Sequence, residues 1–334
     1  MKRTTLTLLA LLTLHCFAYA QRSMEQDSTL NNLVHEEGYQ TDPTPSLGSF
    51  KKLGRGDQSM ILIPGLGFGE DIFNDFMEAY KNDYSMYAVT LAGMGNTAAP
   101  AMPEGEMVSY AQLAWQNIAQ QDILKLIEAE KLNKPILVGH FINGPQIAFE
   151  LARMHPDLIG GVIILGGEPF RYFENQANPG KMITPRGRAI AVDQYLAANW
   201  FKTVTKKTWD DNMFLAEHYS NDLSTGQALW DESASVSLPV LIRYLCEFFA
   251  YDLLQHMNDY KTPTLVLIPS FTEEILNDEA SAFIKTYYVD SWDYLREIKN
   301  PNIRFETVAD SRLFVWKDQP KVTYDLIKSF VKGL

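Results

Sequence analysis

The sequence predicts an α/β domain, a doubly wound and mostly parallel sheet with an inserted block of different character. Three observations predict it. From about residue 59, short β-type apolar runs alternate with segments of helical apolar spacing, the rhythm of parallel strands joined by covering helices. The run Ile136-Leu137-Val138-Gly139-His140-Phe141 turns sharply through Ile142-Asn143-Gly144 into helical spacing over residues 146–154. After Phe170 the alternation stops, and it resumes only at residue 262.

At the start, Lys2 and Arg3 precede a short apolar run over residues 6–17, then Ala18-Tyr19-Ala20. That is the charged, apolar and A-x-A layout of a secretory leader, residues 1–20, cleaved before Gln21. The run is too short to span a bilayer as an uncleaved anchor. His15 stands before Cys16 where a lipidated leader needs a small residue. No later stretch is long and apolar enough to cross a membrane, so the expectation is an exported protein, periplasmic or extracellular. Cleavage leaves Cys246 alone, in an apolar run that reads as a buried thiol.

The chain carries 29 Lys and Arg against 41 Asp and Glu, a net charge of −12. Losing Lys2 and Arg3 leaves −14, without basic clusters, which argues against nucleic acid and anionic membranes. Residues 21–48 are polar and turn-rich, and read as a loose N-terminal arm.

The first core strand is expected at residues 59–63, running into Pro64-Gly65-Leu66-Gly67-Phe68-Gly69. A glycine-rich turn at a strand's carboxyl end points backbone N–H groups into the crevice there. A nucleotide site is a competing reading, but the spacing is G-x-G-x-G and the second strand lacks the expected acid. Residues 71–81 read as a helix with Ile72, Phe73, Phe76 and Met77 on one face. A strand over 84–91 and a long helix over 108–132 follow, the latter with Leu113, Ile118, Ile123, Leu124 and Ile127 as core candidates. Residues 158–165 form a further strand.

The turn at Phe141 has the context of a nucleophile elbow, G-x-S-x-G between strand and helix. Such a turn thrusts one side chain out in a strained backbone conformation. Gly139 fills the first small-residue position; Asn143 fills the second and tolerates positive φ better than most residues. Phe141 holds the nucleophile position. A phenyl ring has no lone pair and no proton to lose, so Phe141 reads as an apolar wall or plug.

In order and spacing these motifs resemble the α/β-hydrolase superfamily, over residues 59–334. Pro64-Gly65-Leu66-Gly67 is similar to its His-Gly oxyanion loop, with Pro64 in place of His. Leu91-Ala92-Gly93-Met94-Gly95 resembles the P-G-x-G turn, and Val138-Gly139-His140-Phe141 resembles V-G-H-S. Glu168-Pro169-Phe170 resembles a strand end in a bacterial subgroup. Ser311-Arg312-Leu313-Phe314-Val315-Trp316-Lys317-Asp318-Gln319-Pro320 resembles S-R-H-F-I-M-x-D-x-P. The resemblance puts the catalytic His at Leu313, and no histidine follows His256. It implies a core of residues 49–170 and 260–334 and a helical cap over 171–259. The cap holds Trp200, Trp209, Phe214, Tyr219 and Trp230, as ligand lining or as packing. His218 and His256 also lie there, read as surface or core histidines. The triad acid is expected near Thr272; Glu273, Glu274 and Asp278 are candidates, with a solvated acidic loop as the other reading.

A Ser–His–acid triad needs an oxygen nucleophile and an imidazole to carry its proton. Both are absent at the matched positions. The leading expectation is therefore a non-catalytic binding or scaffold protein holding a small, partly apolar ligand under the cap. The pocket would be formed by Gly65, Leu66, Gly67, Phe141 and Ile142, with the Leu66 and Ile142 backbone N–H groups as donors. The alternative is an ester, amide or C–C bond hydrolase, or a cofactor-free lyase, using other groups. His140, Glu168, Glu273, Tyr110, Tyr172 and Ser270 are its candidates. A structural or partner-binding protein is the third reading. No cofactor is implied and no metal-ligand spacing is present.

Overall fold

The computed structural model describes residues 41–42, 47, 49–101, 109–175, 177–179, 181–212, 216–278 and 281–334. The expected leader, nearly all of the expected N-terminal arm, and Phe214 lie outside the described residues.

Seven strands form the main sheet: β1 (Ser49–Leu53), β2 (Gln58–Ile63), β3 (Tyr84–Thr90), β4 (Ile136–Phe141), β5 (Gly161–Gly167), β6 (Thr264–Pro269) and β7 (Ile303–Val308). Their order is β1-β3-β2-β4-β5-β6-β7. Every pairing is parallel except β1 on β3. The central strands β4, β5 and β6 are buried along their whole length. A parallel strand covered on both faces has no solvent side, so it is a continuous apolar run. The two edge strands were not anticipated. Both are short, and they carry Lys51 and Lys52, or Arg304 and Glu306, charges that suit an exposed edge.

Helices cover both faces. A 3-10 turn, Glu70–Phe73, leads into α1 (Asn74–Tyr80) and buries the expected Ile72, Phe73, Phe76 and Met77. The long helix is shorter than expected: α2 spans Ala114–Ala129, because Leu113 takes a left-handed φ of 54° and interrupts the helix there. Its buried face centres on Trp115, Ala119, Ile123, Leu126 and Ile127, while Ile118 and Leu124 are only half-buried. Helix α3 (Gly144–Met154) follows β4 directly.

Between β5 and β6 the chain is helical. The segments are α4 (Pro185–Ala191), α5 (Ala197–Thr203), α6 (Lys206–Asn212), α7 (Ala216–Tyr219), α8 (Leu223–Ser235) and α9 (Leu238–Ala250). A π turn, Val192–Leu196, joins α4 to α5. Helix α9 is the anchor of this insertion and is buried on nearly every residue, Cys246 included. Its Glu247 carboxylate accepts the backbone N–H groups of Trp115 and Gln116, 3.0 Å each. These are two of the donors that the start of α2 would otherwise leave unpaired. Arg243, also on α9, neutralises that buried carboxylate at 2.8 Å.

After β6 come α10 (Glu273–Asn277), α11 (Ala282–Lys285) and α12 (Ser291–Ile298), the last two joined by a π turn, Thr286–Asp290. After β7 the turn at Ser311 to Phe314 leads to α13 (Val315–Asp318) and the closing helix, α14 (Pro320–Lys332). No single helix among the described residues is long and apolar enough to cross a membrane.

Candidate functional site

The elbow exists. The register of β4 on β5 slips between His140 and Phe141, and Phe141 takes φ +62° at the strand's carboxyl end. A left-handed conformation is costly for a residue with a Cβ, so a bulky Phe here is held by its surroundings. Asn143 follows at φ +73°, and its side-chain amide donates to the Tyr244 carbonyl of α9 at 3.0 Å. The first small position is where the sequence placed it: a Cβ on Gly139 would stand 2.6 Å from the Gly144 carbonyl oxygen. The second falls one residue later than expected, at Gly144 and not Asn143, since a Cβ on Gly144 would stand 2.7 Å from the Ile63 carbonyl oxygen.

The two positions singled out by resemblance are neighbours across the end of β5. Gly166 and Gly167 both adopt positive φ there. A Cβ on Gly166 would meet the Leu313 carbonyl, and one on Gly167 would meet that of Phe141. Phe141 and Leu313 thus flank one strand end, and both are buried.

Around Phe141 lies an aromatic cluster gathered from five parts of the chain. The Phe141 ring is 6.1 Å from Phe68, 5.8 Å from Tyr219 and 5.9 Å from Tyr288, centroid to centroid. Phe68 and Tyr219 in turn contact Phe314 at 5.3 and 5.5 Å. None of the five is more than 2% exposed. The edge-to-face angles among most of these pairs are the arrangement that aromatic quadrupoles favour. Burial raises the phenols of Tyr219 and Tyr288 above their ordinary range, so both are neutral.

The glycine turn is present but occupied. The Leu66 N–H donates to the Ile142 carbonyl at 3.0 Å. The Phe68 N–H donates to Gly65 at 3.2 Å, and the Gly69 N–H donates to Glu232 of α8 at 3.3 Å. Gly65 abuts Phe141, and Gly67 abuts Ser233 of α8. The residues expected to form a pocket are therefore together, but the expected Leu66 donor is used within the chain.

Of the other candidates, His140 and Glu168 lie beside the elbow. His140 is buried among Phe73, Phe314 and Trp316. Neither ring nitrogen makes a side-chain partner of ordinary geometry among the described residues. Burial pushes the imidazole down to about 3, against the pull of the Leu313 backbone, so His140 is neutral and a poor base. Glu168 donates its backbone N–H to the Phe141 carbonyl at 3.3 Å. Its buried carboxylate is gripped by Arg171 through two hydrogen bonds, 2.9 and 3.2 Å. Burial pushes Glu168 up to about 7 despite that guanidinium. Arg171 itself lies 3.5 Å over the Tyr287 ring, and Arg188 bonds the Arg171 carbonyl from behind.

Thr272, Glu273, Glu274 and Asp278 all face solvent on and around α10. They are solvated as expected, but Glu273 and Glu274 form the first turn of that helix and not a loop. Tyr172 stacks on Tyr294 at 5.0 Å, and Tyr110 lies 4.3 Å below the Arg243 guanidinium. Ser270 is half-buried at the end of β6. His256 stacks on Tyr251, whereas His218 is buried and bonded to Ser281. No group of His, Cys, Asp and Glu among the described residues has the arrangement of a metal site. Sequence reasoning missed Phe68, Tyr288 and Phe314 as neighbours of Phe141; an excess of aromatics was its only available signal.

No protein-family model matches the sequence. Solved structures do resemble it. A hydrolase from Oleispira antarctica superposes with a TM-score of 0.61 at 14% identity, covering 87% of this chain and 97% of that one. The enol-lactonase from Burkholderia xenovorans gives 0.60 at 14%, covering 85% and 96%. An esterase from Exiguobacterium antarcticum gives 0.60 at 17%, covering 85% and 94%. Such identities speak for the fold and not for the reaction.

Proposed function

Starting from the α/β-hydrolase fold that these likenesses establish, we propose that the chain is an exported, non-catalytic homologue whose elbow serves packing and not reaction. Its role is that of a scaffold or binding protein, with the helices of residues 171–259 acting as a fixed cap. The observation that carries this reading is the Phe141 ring, seated where a nucleophile would project and closed in by Phe68, Tyr219 and Tyr288, with Phe314 packed behind Phe68 and Tyr219.

Two further observations support it. Phe141 and Leu313 offer neither a nucleophile nor a proton carrier, and losing either function alone removes most of a triad's contribution to rate. The Leu66 N–H, which would serve a developing oxyanion, is bonded to Ile142. The small, partly apolar ligand remains the proposed cargo under the cap, bound beside the aromatic cluster and not in place of Phe141. Export rests on the layout of residues 1–20, and N-terminal sequencing of the secreted protein, with Gln21 first, tests it.

The test of the main reading is ester turnover by the mature protein over several acyl chain lengths, beside a Phe141→Ser, Leu313→His double variant. The parent's elbow is expected to contribute nothing: any ester turnover by the parent is slow and unchanged by Phe141→Ala. Enzyme-like turnover by the parent that falls on substitution of His140 or Glu168 would overturn the reading, in favour of the esterase and lactonase chemistry named for the similar structures.

A further inference from the structure

One nucleophile–base pair lies outside the elbow. Helix α7 carries His218 and stands beside the turn after β7, to which it is joined by two backbone bonds. Facing it is Ser281, which immediately precedes α11 and so heads the helical run of residues 282–298. His218 Nε2 and Ser281 Oγ are 3.1 Å apart. That is within the reach a nucleophilic hydroxyl and its base require.

Two details separate this pair from an ordinary packing contact. Ser281 Oγ makes no capping bond to the helix it precedes, although a serine there commonly does. His218 Nδ1 is buried without a partner among the described residues. Leaving a polar atom so is unfavourable, and an apolar residue at 218 would avoid that cost. The pair is shallow: His218 is 7% and Ser281 9% exposed, under the half-buried ring of Phe283 at 5.9 Å. Burial and the nearby Arg312 hold the imidazole down to about 4 against the pull of Asp278, so it is neutral at pH 7.

We propose that Ser281 and His218 form an acyl-accepting dyad that reacts with small carboxylic esters. Ser281 Oγ attacks the carbonyl carbon, and its proton passes to His218 Nε2. The bond from that carbon to the alcohol oxygen breaks, and the alcohol leaves with the proton, giving acyl-Ser281 and a neutral imidazole. Water adds by the same route, releasing the carboxylic acid and restoring the hydroxyl. No carboxylate among the described residues holds Nδ1 in place, and a pair lacking its orienting acid is slow, so the acyl form is expected to outlast many turnovers of a full triad. The dyad shares no residue with the elbow, so its failure leaves the proposal above untouched.

The experiment is covalent labelling of the folded mature protein with a fluorophosphonate probe, and separately with p-nitrophenyl acetate, read by intact mass and peptide mapping. The expected result is one adduct on the peptide containing Ser281, absent after denaturation in urea and absent in Ser281→Ala. His218→Gln should slow labelling by about a hundredfold, the loss of a general base, with an unchanged melting temperature. No adduct on the native wild-type chain, an adduct on another residue, or Ser281 labelling indifferent to His218→Gln would each overturn the proposal. The wild-type readout depends on no variant folding.

Discussion

The Leu313 amide donates to the His218 carbonyl at 3.1 Å, and one residue on Phe314 donates to Tyr219 at 3.0 Å. The turn that the hydrolase pattern reserves for its histidine is thus joined to α7 by main-chain bonds, whatever side chain occupies position 313. Asp318, the acid of that same pattern, completes the junction. Its carboxylate accepts from the Ser220 hydroxyl at 2.7 Å and from the backbone N–H groups of Asn221 and Arg312 at 2.9 and 2.7 Å.

Asp318→Ala therefore removes two bonds between the last turn and the insertion and a third within the turn itself. Bonds to a charged acceptor contribute about 1.5–3 kcal/mol each, less than additively, so a loss of roughly 2–4 kcal/mol is expected in urea unfolding. The same variant should gain a protease cut near residues 218–222. Asp318→Asn, which keeps one acceptor, should lose less than Ala.

Phe141→Ala opens a void inside the aromatic cluster. Truncating a buried Phe costs about 3–5 kcal/mol. Relief of the left-handed backbone is slight, since Ala keeps its Cβ. The variant should lose stability in urea melts while its background ester turnover stays unchanged.

Asn143 separates backbone strain from hydrogen bonding. Asn143→Gly keeps the positive φ at ease but removes the side-chain bond to the Tyr244 carbonyl, which keeps its place in α9, a loss of about 0.5–1.5 kcal/mol. Asn143→Ala adds about 1–2 kcal/mol of left-handed strain to that. Denaturation should rank wild type above Gly and Gly above Ala; Ala equal to Gly would show that the backbone strain is absent.

Two histidines make the fold sensitive to acid. His140 and His218 ionise in the native protein near 3 and 4, well below the ordinary 6.5, because burial disfavours their charged forms. Unfolded chains take up these protons as pH falls below 6.5 and the native state does not. The stabilisation is complete above that pH and declines toward pH 4 by about 1.4 kcal/mol per pH unit for each histidine. Glu168, raised to about 7, works in the opposite sense between pH 4.5 and 7, so the test is a difference. Urea unfolding of His140→Leu should depend on pH with a slope smaller than wild type by about one proton between pH 4 and 6.

The central sheet was legible in the sequence because parallel strands buried on both faces must be continuous apolar runs, as residues 60–63 and 162–165 are. The elbow was legible because Gly139 and the change from strand to helix spacing are local. The edges were not, since Lys51 and Lys52 mask a strand whose pairing is set by β3. The content of the site was harder still. Phe68, Phe141, Tyr219, Tyr288 and Phe314 meet only through the fold, and no local spacing records that they are neighbours. The same holds for His218 and Ser281, 63 positions apart.

Helix α9 has a consequence for the order in which the chain is completed. Its polar links reach Asn143 and Gln146 across 101 and 102 positions, Gln116 across 131 and, through the Tyr244 hydroxyl, Ala92 across 152. Such distant closures are entropically slow to form. A nascent chain halted before residue 244 holds the elbow's amides and the start of α2 without their partners. The first half of the sheet therefore has to wait for the middle of the polypeptide, and folding of the elbow is a late event that a truncated chain cannot reach.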